Sequence, residues 1–180
     1  ELAREHGASI LISTPTFCQA YYRTCGPEDF KTLRHVVVGA ERLRPDFAAQ
    51  FKEKFGVEML EGYGATEMGP VVSVNVPNVV HQGEQQVGHK PGTVGHPLPG
   101  VAAKVVDPET GQDLTEGQEG LLLLKGPGRM VGYLADEKAT AAALRDDWYV
   151  TGDIAIVDED GFIKITDRLS RFSKIGGEMV

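Results

Sequence analysis

The first half of the chain alternates between strand-like and helix-like hydrophobic patterns. Short apolar or β-branched runs predict strands at residues 8–13, 35–38, 57–60 and 71–74. Helix signals precede or separate these runs, at residues 1–6, 15–23, 27–33 and 45–55. The last helix is the best marked, because its aromatic residues fall on one face and Gly56 supplies a stop signal. Strand–helix–strand units of this kind predict an α/β fold with a largely parallel sheet and flanking helices.

The pattern changes after residue 77. Residues 77–99 are rich in glycine and proline and predict a long surface connection. Short strands and tight turns follow, with strands at 101–107, 120–125, 148–157 and 162–166, a helix over 138–145 and a turn at 158–161. We therefore predict a partial parallel-sheet subdomain over 1–95 and a small β-barrel-like subdomain over 96–167.

Composition narrows the class of protein. The net charge of −8 argues against a nucleic-acid surface, which would need a basic patch. No apolar run approaches the roughly 20 residues that a membrane helix needs. Cys18 and Cys25 have no zinc-like spacing and are read as reduced thiols. The first residues lack signal-peptide features and an initiator Met, so we expect a cytoplasmic location and an internal piece of a longer protein.

The segment 61–67, Glu-Gly-Tyr-Gly-Ala-Thr-Glu, is the strongest candidate for chemistry. It follows a predicted strand, and glycines on both sides of Tyr63 let the chain turn and let a flat ligand approach the ring. Thr66 offers a hydroxyl for a phosphate oxygen, and Glu67 offers a carboxylate for a divalent cation, which together suit a magnesium nucleotide. The alternative is an ordinary turn in which Tyr63 is core and Glu67 is solvated.

Two further segments carry candidate ligand-binding groups. Residues 39–41 follow a buried strand, and ligands gather at the carboxyl ends of strands in α/β sheets. Asp153 follows a Thr-Gly pair, and its carboxylate can accept bonds from both hydroxyls of a ribose. The alternatives are an Asx-turn for Asp153 and a surface salt bridge for Arg168.

The segments 61–67, 148–153 and 167–170, in this order, resemble the adenylate-forming superfamily of acyl-CoA synthetases, luciferases and peptide-synthetase adenylation domains. The resemblance spans nearly the whole chain. A closer similarity, carried by 71–75 and 171–180, is to the synthetase part of bacterial 2-acylglycerophosphoethanolamine acyltransferase/acyl-[acyl-carrier-protein] synthetases.

The resemblance implies an AMP-forming acid–thiol ligase that uses ATP and Mg2+. Such an enzyme activates a fatty acid as an acyl-adenylate and passes the acyl group to acyl-carrier protein or coenzyme A. The implied nucleotide-binding residues are Gly39, Ala40, Glu41, Tyr63 and Gly64 around adenine, Asp153 and Arg168 at the ribose and phosphate, and Thr66 at the phosphates. Thr66, Glu67 and Lys174 are the implied catalytic residues, with Glu67 as the Mg2+ ligand and Lys174 acting in the thiol-transfer conformation.

The same resemblance implies that two family elements lie outside these 180 residues. A phosphate-binding loop would precede residue 1, and a lysine of the C-terminal domain would follow residue 180. Residues 168–180 then correspond to a hinge and the start of that domain, with Ser170 at the hinge position. We expect the 180 residues alone to be inactive and, through exposed strand edges, to self-associate. Association of the parent enzyme with the cytoplasmic face of the inner membrane stays open.

Two readings from other classes remain beside the ligase. One is a catalytically inactive regulatory module that binds adenine nucleotides. The other is an interaction domain in which the glycine-rich segments are only turns.

Overall fold

A computed structural model describes residues 2–169, 174–175 and 178–179. The chain divides into two compact units. The first unit comprises Glu1–Tyr63 and Val74–Gly95, and the second comprises Gly64–Ser73 and His96–Val180. The predicted mixed α/β architecture is confirmed. The domain division at residues 95 and 167 stays a prediction.

The described residues form four α-helices, two short 3₁₀-helices and fourteen strands. The α-helices are α1 (Leu2–Glu5), α2 (Pro15–Thr24), α3 (Pro45–Phe55) and α4 (Glu137–Ala143). The 3₁₀-helices are Pro27–Asp29 and Thr66–Met68. The strands are β1 (Ile10–Ser13), β2 (His35–Val38), β3 (Met59–Gly64), β4 (Val71–Val74), β5 (Val79–His81), β6 (Glu84–Gln86), β7 (His96–Pro97), β8 (Ala102–Val106), β9 (Glu119–Lys125), β10 (Leu144–Arg145), β11 (Trp148–Val157), β12 (Ile163–Arg168), β13 (Lys174–Ile175) and β14 (Glu178–Met179).

The first unit is built on three parallel strands, β1, β2 and β3, with β2 in the middle. Helix α2 begins with Pro15 after the N-cap Thr14, whose hydroxyl accepts the Phe17 N–H at 3.4 Å. Helix α3 ends at Gly56, which adopts the left-handed conformation at φ 72°. One core joins the helices to the sheet; its buried members are Cys18, Phe30, Leu33, Val36, Val38, Phe47, Phe51, Phe55, Val57 and Met59.

A buried amide connects separate segments of this unit. Asn75, 1% exposed, donates through Nδ2 to the backbone oxygens of Glu61 at 3.0 Å and Thr93 at 2.7 Å. Its Oδ1 accepts the backbone N–H of Lys90 at 3.1 Å. The glycine- and proline-rich segment after β6 is therefore fixed to strand β3 through one side chain.

Two elements in this region differ from the sequence prediction. The segment predicted as a surface connection contains a hairpin, because Val79–His81 pairs antiparallel with Glu84–Gln86 across a turn in which Gln82 and Gly83 have positive φ. The strand predicted over 57–60 begins at Met59 and continues through Gly64. The glycine at 64 serves close approach rather than a turn, because a Cβ there would overlap the carbonyl oxygen of Pro70.

The second unit is dominated by an antiparallel sheet in the order β10-β11-β9-β8, with β12 also paired to β11. The barrel-like prediction holds for its strands and turns, but over the described residues the sheet does not close. Its long strand β11 shifts register between Val150 and Ile154, which marks a β-bulge. Val106, Leu121, Leu123 and Ile154 form one buried cluster of the sheet.

The helix predicted over 138–145 is shorter than expected. It ends at Ala143, and Leu144–Arg145 becomes strand β10 instead. Asp146 and Asp147 both have positive φ, which makes a two-residue hairpin turn and pairs Arg145 with Trp148. The helical piece predicted over 27–33 is likewise only a single turn, Pro27–Asp29, with the Asp29 carboxylate accepting the Gly26 N–H at 2.9 Å.

We expect Asn75→Ala to destabilise the fold by about 1–3 kcal/mol, because truncation leaves buried backbone oxygens without their donors. Urea denaturation measures this change. Asn78→Ala is the matched control, since the Asn78 side chain accepts the Gly88 and His89 N–H groups at a more exposed place. Equal midpoints for the two variants would contradict the anchoring role of Asn75.

Candidate functional site

In the first unit, the predicted base-binding segments lie at the carboxyl ends of neighbouring parallel strands. Val38 pairs with Glu61 in the β2–β3 register, so residues 39–41 continue beside the end of β3. A Cβ on Gly39 would lie 3.2 Å from the Gly62 carbonyl oxygen, so the two backbones approach closely here. Ala40 has a φ of 66°, which is unusual for a residue with a side chain. The structure thus brings Gly39 and Ala40 beside the strand that carries Tyr63.

The side chain of Glu41 has an engagement that the sequence did not predict. Its Oε2 accepts the backbone N–H of Thr16 at 3.1 Å and the Thr16 hydroxyl at 2.6 Å. Thr16 lies in the first turn of α2, where unsatisfied N–H groups attract a carboxylate. The Glu41 carboxylate is therefore hydrogen-bonded to the first turn of helix α2.

Sequence reasoning missed Glu61 as a polar group of this region. Its Oε1 accepts the Leu43 N–H at 3.1 Å, and burial raises the pKa of its carboxyl. Glu61 also lines a cavity of about 310 Å³ together with Leu43, Met59, Asn75 and Thr93. The alternation of strand side chains could have revealed it, because Glu61 and Tyr63 are two residues apart on β3.

In the second unit, Thr66 and Glu67 lie on a single 3₁₀ turn. Ala65 N–H donates to the Pro70 oxygen at 2.9 Å, and Gly69 closes the turn in the left-handed conformation. The Tyr133 hydroxyl donates to Glu67 Oε1 at 2.8 Å. The pKa of Glu67 is lowered first by its own backbone N–H and then by Tyr133, with smaller contributions from Tyr149 and Arg168. Glu67 is therefore an ionised carboxylate at neutral pH.

Asp153 and Arg168 are opposite each other on β11 and β12. Arg168 Nε lies 3.5 Å from Asp153 Oδ1; the aspartate side chain is 17% exposed and the arginine side chain 65%. The surface salt bridge considered for Arg168 is thus present, and its partner is the predicted ribose ligand.

A polar bulge positions Asp153. Gly152 has a φ of 74°, and the Thr151 hydroxyl donates to the buried Leu122 oxygen at 2.9 Å. The same hydroxyl accepts the Asp153 N–H at 3.0 Å. The side chain of Thr151 therefore fixes the backbone from which the aspartate projects.

Two tyrosines join this group without a sequence prediction. Tyr149 is buried, and this burial is the main cause that raises the pKa of its hydroxyl. The negative charge of Glu67 raises the same pKa further. The pKa of Tyr133 is raised by its hydrogen bond to Glu67. Both hydroxyls therefore stay protonated and donate. The alternation of side chains along β11 could have predicted the position of Tyr149. Tyr133 lies in a loop, where no periodic pattern predicts the position of a side chain.

The remaining predicted residues lie near the chain end. The backbone of Lys174 belongs to the short strand β13, which pairs with β14. Ser170 lies outside the described residues. Within the described ranges, no cluster of three or more His, Cys, Asp or Glu side chains is arranged to hold a metal ion. No helix in the described part of the chain is long and apolar enough to cross a membrane.

Comparisons with known proteins bear on this arrangement. Residues 1–134 match the family described as AMP-binding enzyme. A long-chain-fatty-acid–CoA ligase of Thermus thermophilus is 36% identical over 187 residues, covering 100% of this chain and 34% of the relative. The 4-coumarate–CoA ligase-like 9 protein of Arabidopsis thaliana is 40% identical over 149 residues, covering 81% of this chain and 25% of the relative. The ATP-bound structure of MatB from Rhodopseudomonas palustris superposes with a TM-score of 0.80 at 32% identity, covering 96% of this chain and 33% of that one.

The chain belongs to the AMP-binding enzyme family. Its predicted membership of the adenylate-forming superfamily is confirmed. It spans 25–34% of the length of the two curated relatives described above.

The raised pKa of Glu61 gives a testable pH dependence. The folded chain holds this proton more tightly than the unfolded chain, so the stabilisation is complete below the unfolded-state pKa and is lost as pH rises through the folded-state pKa. Glu61→Gln keeps the acceptor for Leu43 N–H but cannot ionise. We expect its stability relative to wild type to increase between pH 4.5 and pH 8, measured by urea denaturation.

Glu58→Gln is the control with the opposite sign. The hydrogen bond from Lys52 lowers the pKa of Glu58, so the contribution of Glu58 is present above its unfolded-state pKa and lost as pH falls. The Glu58 variant should therefore lose stability relative to wild type as pH rises. Parallel pH profiles for the two variants would contradict the assignment for Glu61.

Proposed function

We propose that the protein containing this chain is an ATP-dependent, AMP-forming acid–thiol ligase. It would activate a carboxylic acid as an acyl-adenylate and then transfer the acyl group to a thiol. The observation that carries the proposal is the grouping of Glu67, Asp153 and Arg168 in the second unit of a chain that belongs to the AMP-binding enzyme family.

The first unit would bind the adenine. Tyr63 would stack on the base, and Gly39, Ala40 and Glu41 would line its edge through their backbone. The β2–β3 register supports this role, because it places residues 39–41 beside the end of the strand that carries Tyr63. The engagement of the Glu41 carboxylate with Thr16 is the reason to assign only the backbone of Glu41 to the base. Gly64 follows Tyr63 directly and stays in the proposed nucleotide-binding set through the family resemblance; its lack of a side chain serves the close approach to Pro70.

The second unit would bind the ribose and the phosphates. Asp153 would accept the two ribose hydroxyls, and Arg168 would contact ribose or phosphate. Thr66 would donate its hydroxyl to a phosphate oxygen. Attack of a carboxylate on the α-phosphate brings two anions together, so catalysis requires positioning and neutralisation of the developing charge.

Glu67 fits the role of a Mg2+ ligand. Its carboxylate is ionised, and Mg2+ is commonly bound by one or two carboxylates together with substrate phosphates. The ion would supply positive charge at the phosphates. Lys174 would act in the thiol-transfer step.

The substrate class follows from the relatives and from the sequence resemblance. One relative is a long-chain-fatty-acid–CoA ligase, which supports a fatty acid and coenzyme A. The similarity of residues 71–75 and 171–180 to acyl-[acyl-carrier-protein] synthetases supports acyl-carrier protein as the alternative thiol. A cytoplasmic location, self-association and inactivity of the 180 residues alone stay predictions.

Carboxylate-dependent exchange of pyrophosphate into ATP tests the reaction. The protein containing this chain should catalyse exchange with long-chain fatty acids and Mg2+. Release of the acyl group to coenzyme A or to acyl-carrier protein would identify the acceptor. Nucleotide binding without exchange, with every fatty acid tried, would favour the regulatory module instead.

Nucleoside contacts give a second prediction. Asp153→Ala should weaken AMP binding by about 1–3 kcal/mol through lost hydrogen bonds to a charged group. Tyr63→Ala should cost about 1–3 kcal/mol through lost stacking. Isothermal titration calorimetry with AMP measures both.

Matched variants separate these contacts from general damage. Tyr63→Phe keeps the ring and should bind AMP nearly as wild type does. Asp113→Ala removes a carboxylate that pairs with Lys104 on the surface, and it should leave AMP binding unchanged. Wild-type AMP affinity in both Asp153→Ala and Tyr63→Ala would refute the nucleoside assignment.

A further inference from the structure

The segment between β9 and α4 contacts Glu67 at two separate points. The Tyr133 hydroxyl donates to the carboxylate oxygen Oε1 at 2.8 Å. The Met130 N–H donates to the backbone oxygen of Glu67 at 2.7 Å. A Cβ on Gly128 would lie 2.6 Å from the Met68 oxygen, so the two segments run close together at this place. One segment therefore holds both the backbone and the carboxylate of Glu67.

Helix α4 braces the tyrosine. The Tyr133 N–H donates to the Thr140 hydroxyl at 2.9 Å, and this hydroxyl donates to the Asp136 oxygen at 2.8 Å. Asp136 caps the same helix by accepting the Ala139 N–H at 2.8 Å. The close contact with Thr140 also requires a small residue before the tyrosine, since a Cβ on Gly132 would lie 2.9 Å from the Thr140 methyl carbon.

The carboxylate has neighbours from several elements. Tyr149 from β11 contributes a second hydroxyl, and Arg168 from β12 contributes positive charge. A carboxylate has about four lone-pair positions, so a bond from Tyr133 to one oxygen is compatible with a cation on the same group. A glutamate held in one orientation also loses less conformational entropy when it captures an ion than a mobile one does.

We propose that Tyr133 is a positioning residue that holds the Glu67 carboxylate in the orientation that receives the divalent cation of the bound nucleotide, with Thr140 as its support. This inference rests on the proposed role of Glu67 as the Mg2+ ligand. Tyr133 acts through Glu67, and Thr140 acts through Tyr133.

Tyr133→Phe is the primary test, because it removes the hydroxyl and keeps the ring. Loss of a residue that orients a metal ligand typically costs 10–100-fold in metal affinity or activity. We expect the Mg2+ concentration at half-maximal pyrophosphate exchange to rise about 10-fold. The kcat at saturating Mg2+ should change much less than this half-saturation constant.

Calorimetry gives a readout that does not depend on turnover. Tyr133→Phe should weaken binding of ATP in the presence of Mg2+ and leave metal-free AMP binding at the wild-type value. Equal weakening of both ligands would indicate a general structural role and would overturn the inference. Unchanged Mg2+ dependence in both assays would also overturn it.

Variants at Thr140 test the support. Thr140→Val removes the hydroxyl at nearly constant volume and should raise the Mg2+ requirement in the same direction as Tyr133→Phe. Thr140→Ser keeps the hydroxyl, so its Mg2+ requirement should stay close to that of the wild type. The double variant Tyr133→Phe/Thr140→Val should show less than the product of the two single effects, because both act through one contact. A double variant whose Mg2+ requirement rises by the full product of the two single effects would contradict the proposal that Thr140 acts through Tyr133.

The failure of the ligase proposal is distinguishable from the failure of this inference. A wild-type protein without fatty-acid-dependent exchange refutes the ligase, whereas the calorimetric comparison still tests Tyr133. Glu67→Gln provides the reference, since it removes the charge itself and should abolish the Mg2+ enhancement of ATP binding. If Glu67→Gln keeps that enhancement, Glu67 is not the ligand and the inference fails with it.

Discussion

The side-chain amide of Asn75 joins strand β3 to the segment that carries Lys90 and Thr93, and the first unit depends on these bonds. Glu61 lies two residues before Tyr63 on strand β3, so the amide also fixes the strand from which the proposed adenine contact projects. A buried amide that satisfies both donors and its acceptor rigidifies the structure, whereas a partly satisfied one is costly. The glycine- and proline-rich segment is thus held by specific polar bonds, although its composition suggested only a surface connection.

The second unit positions its polar groups by a different means. A bulge in β11, pinned by the Thr151 hydroxyl, turns Asp153 toward Arg168 on the neighbouring strand. Glu67 sits on a single turn whose carboxylate is reached by hydroxyls from two other elements. The contact between Asp153 and Arg168 depends on the pairing of β11 with β12. The hydrogen bond from Tyr133 to Glu67 depends on a loop residue.

The sequence predicts elements well where local signals agree. The helix Pro45–Phe55 and the strands Val71–Val74 and Trp148–Val157 have the predicted bounds, because aromatic periodicity, β-branched runs and a left-handed glycine mark them locally. Glu67 and Asp153 were predicted from their residue types together with a family resemblance, and Arg168 from the resemblance; their roles stay predictions. Tyr133 and the Glu41–Thr16 contact were not, because they depend on segments that are distant in sequence. Strand β10 was missed since alanine-rich helix signals continue up to a turn that two aspartates form in an uncommon conformation.

The left-handed backbone of Ala40 has a consequence for how this chain can vary. A residue with a Cβ pays roughly 1–2 kcal/mol in that conformation, and glycine would avoid most of this penalty. A glycine at position 40 would also have more backbone freedom than alanine, both in the unfolded chain and within this segment of the folded chain. Alanine keeps a single narrow backbone geometry beside β3 at the expense of global stability. Position 40 is therefore one at which an engineer seeking thermostability and an engineer seeking a rigid recognition surface would choose different residues.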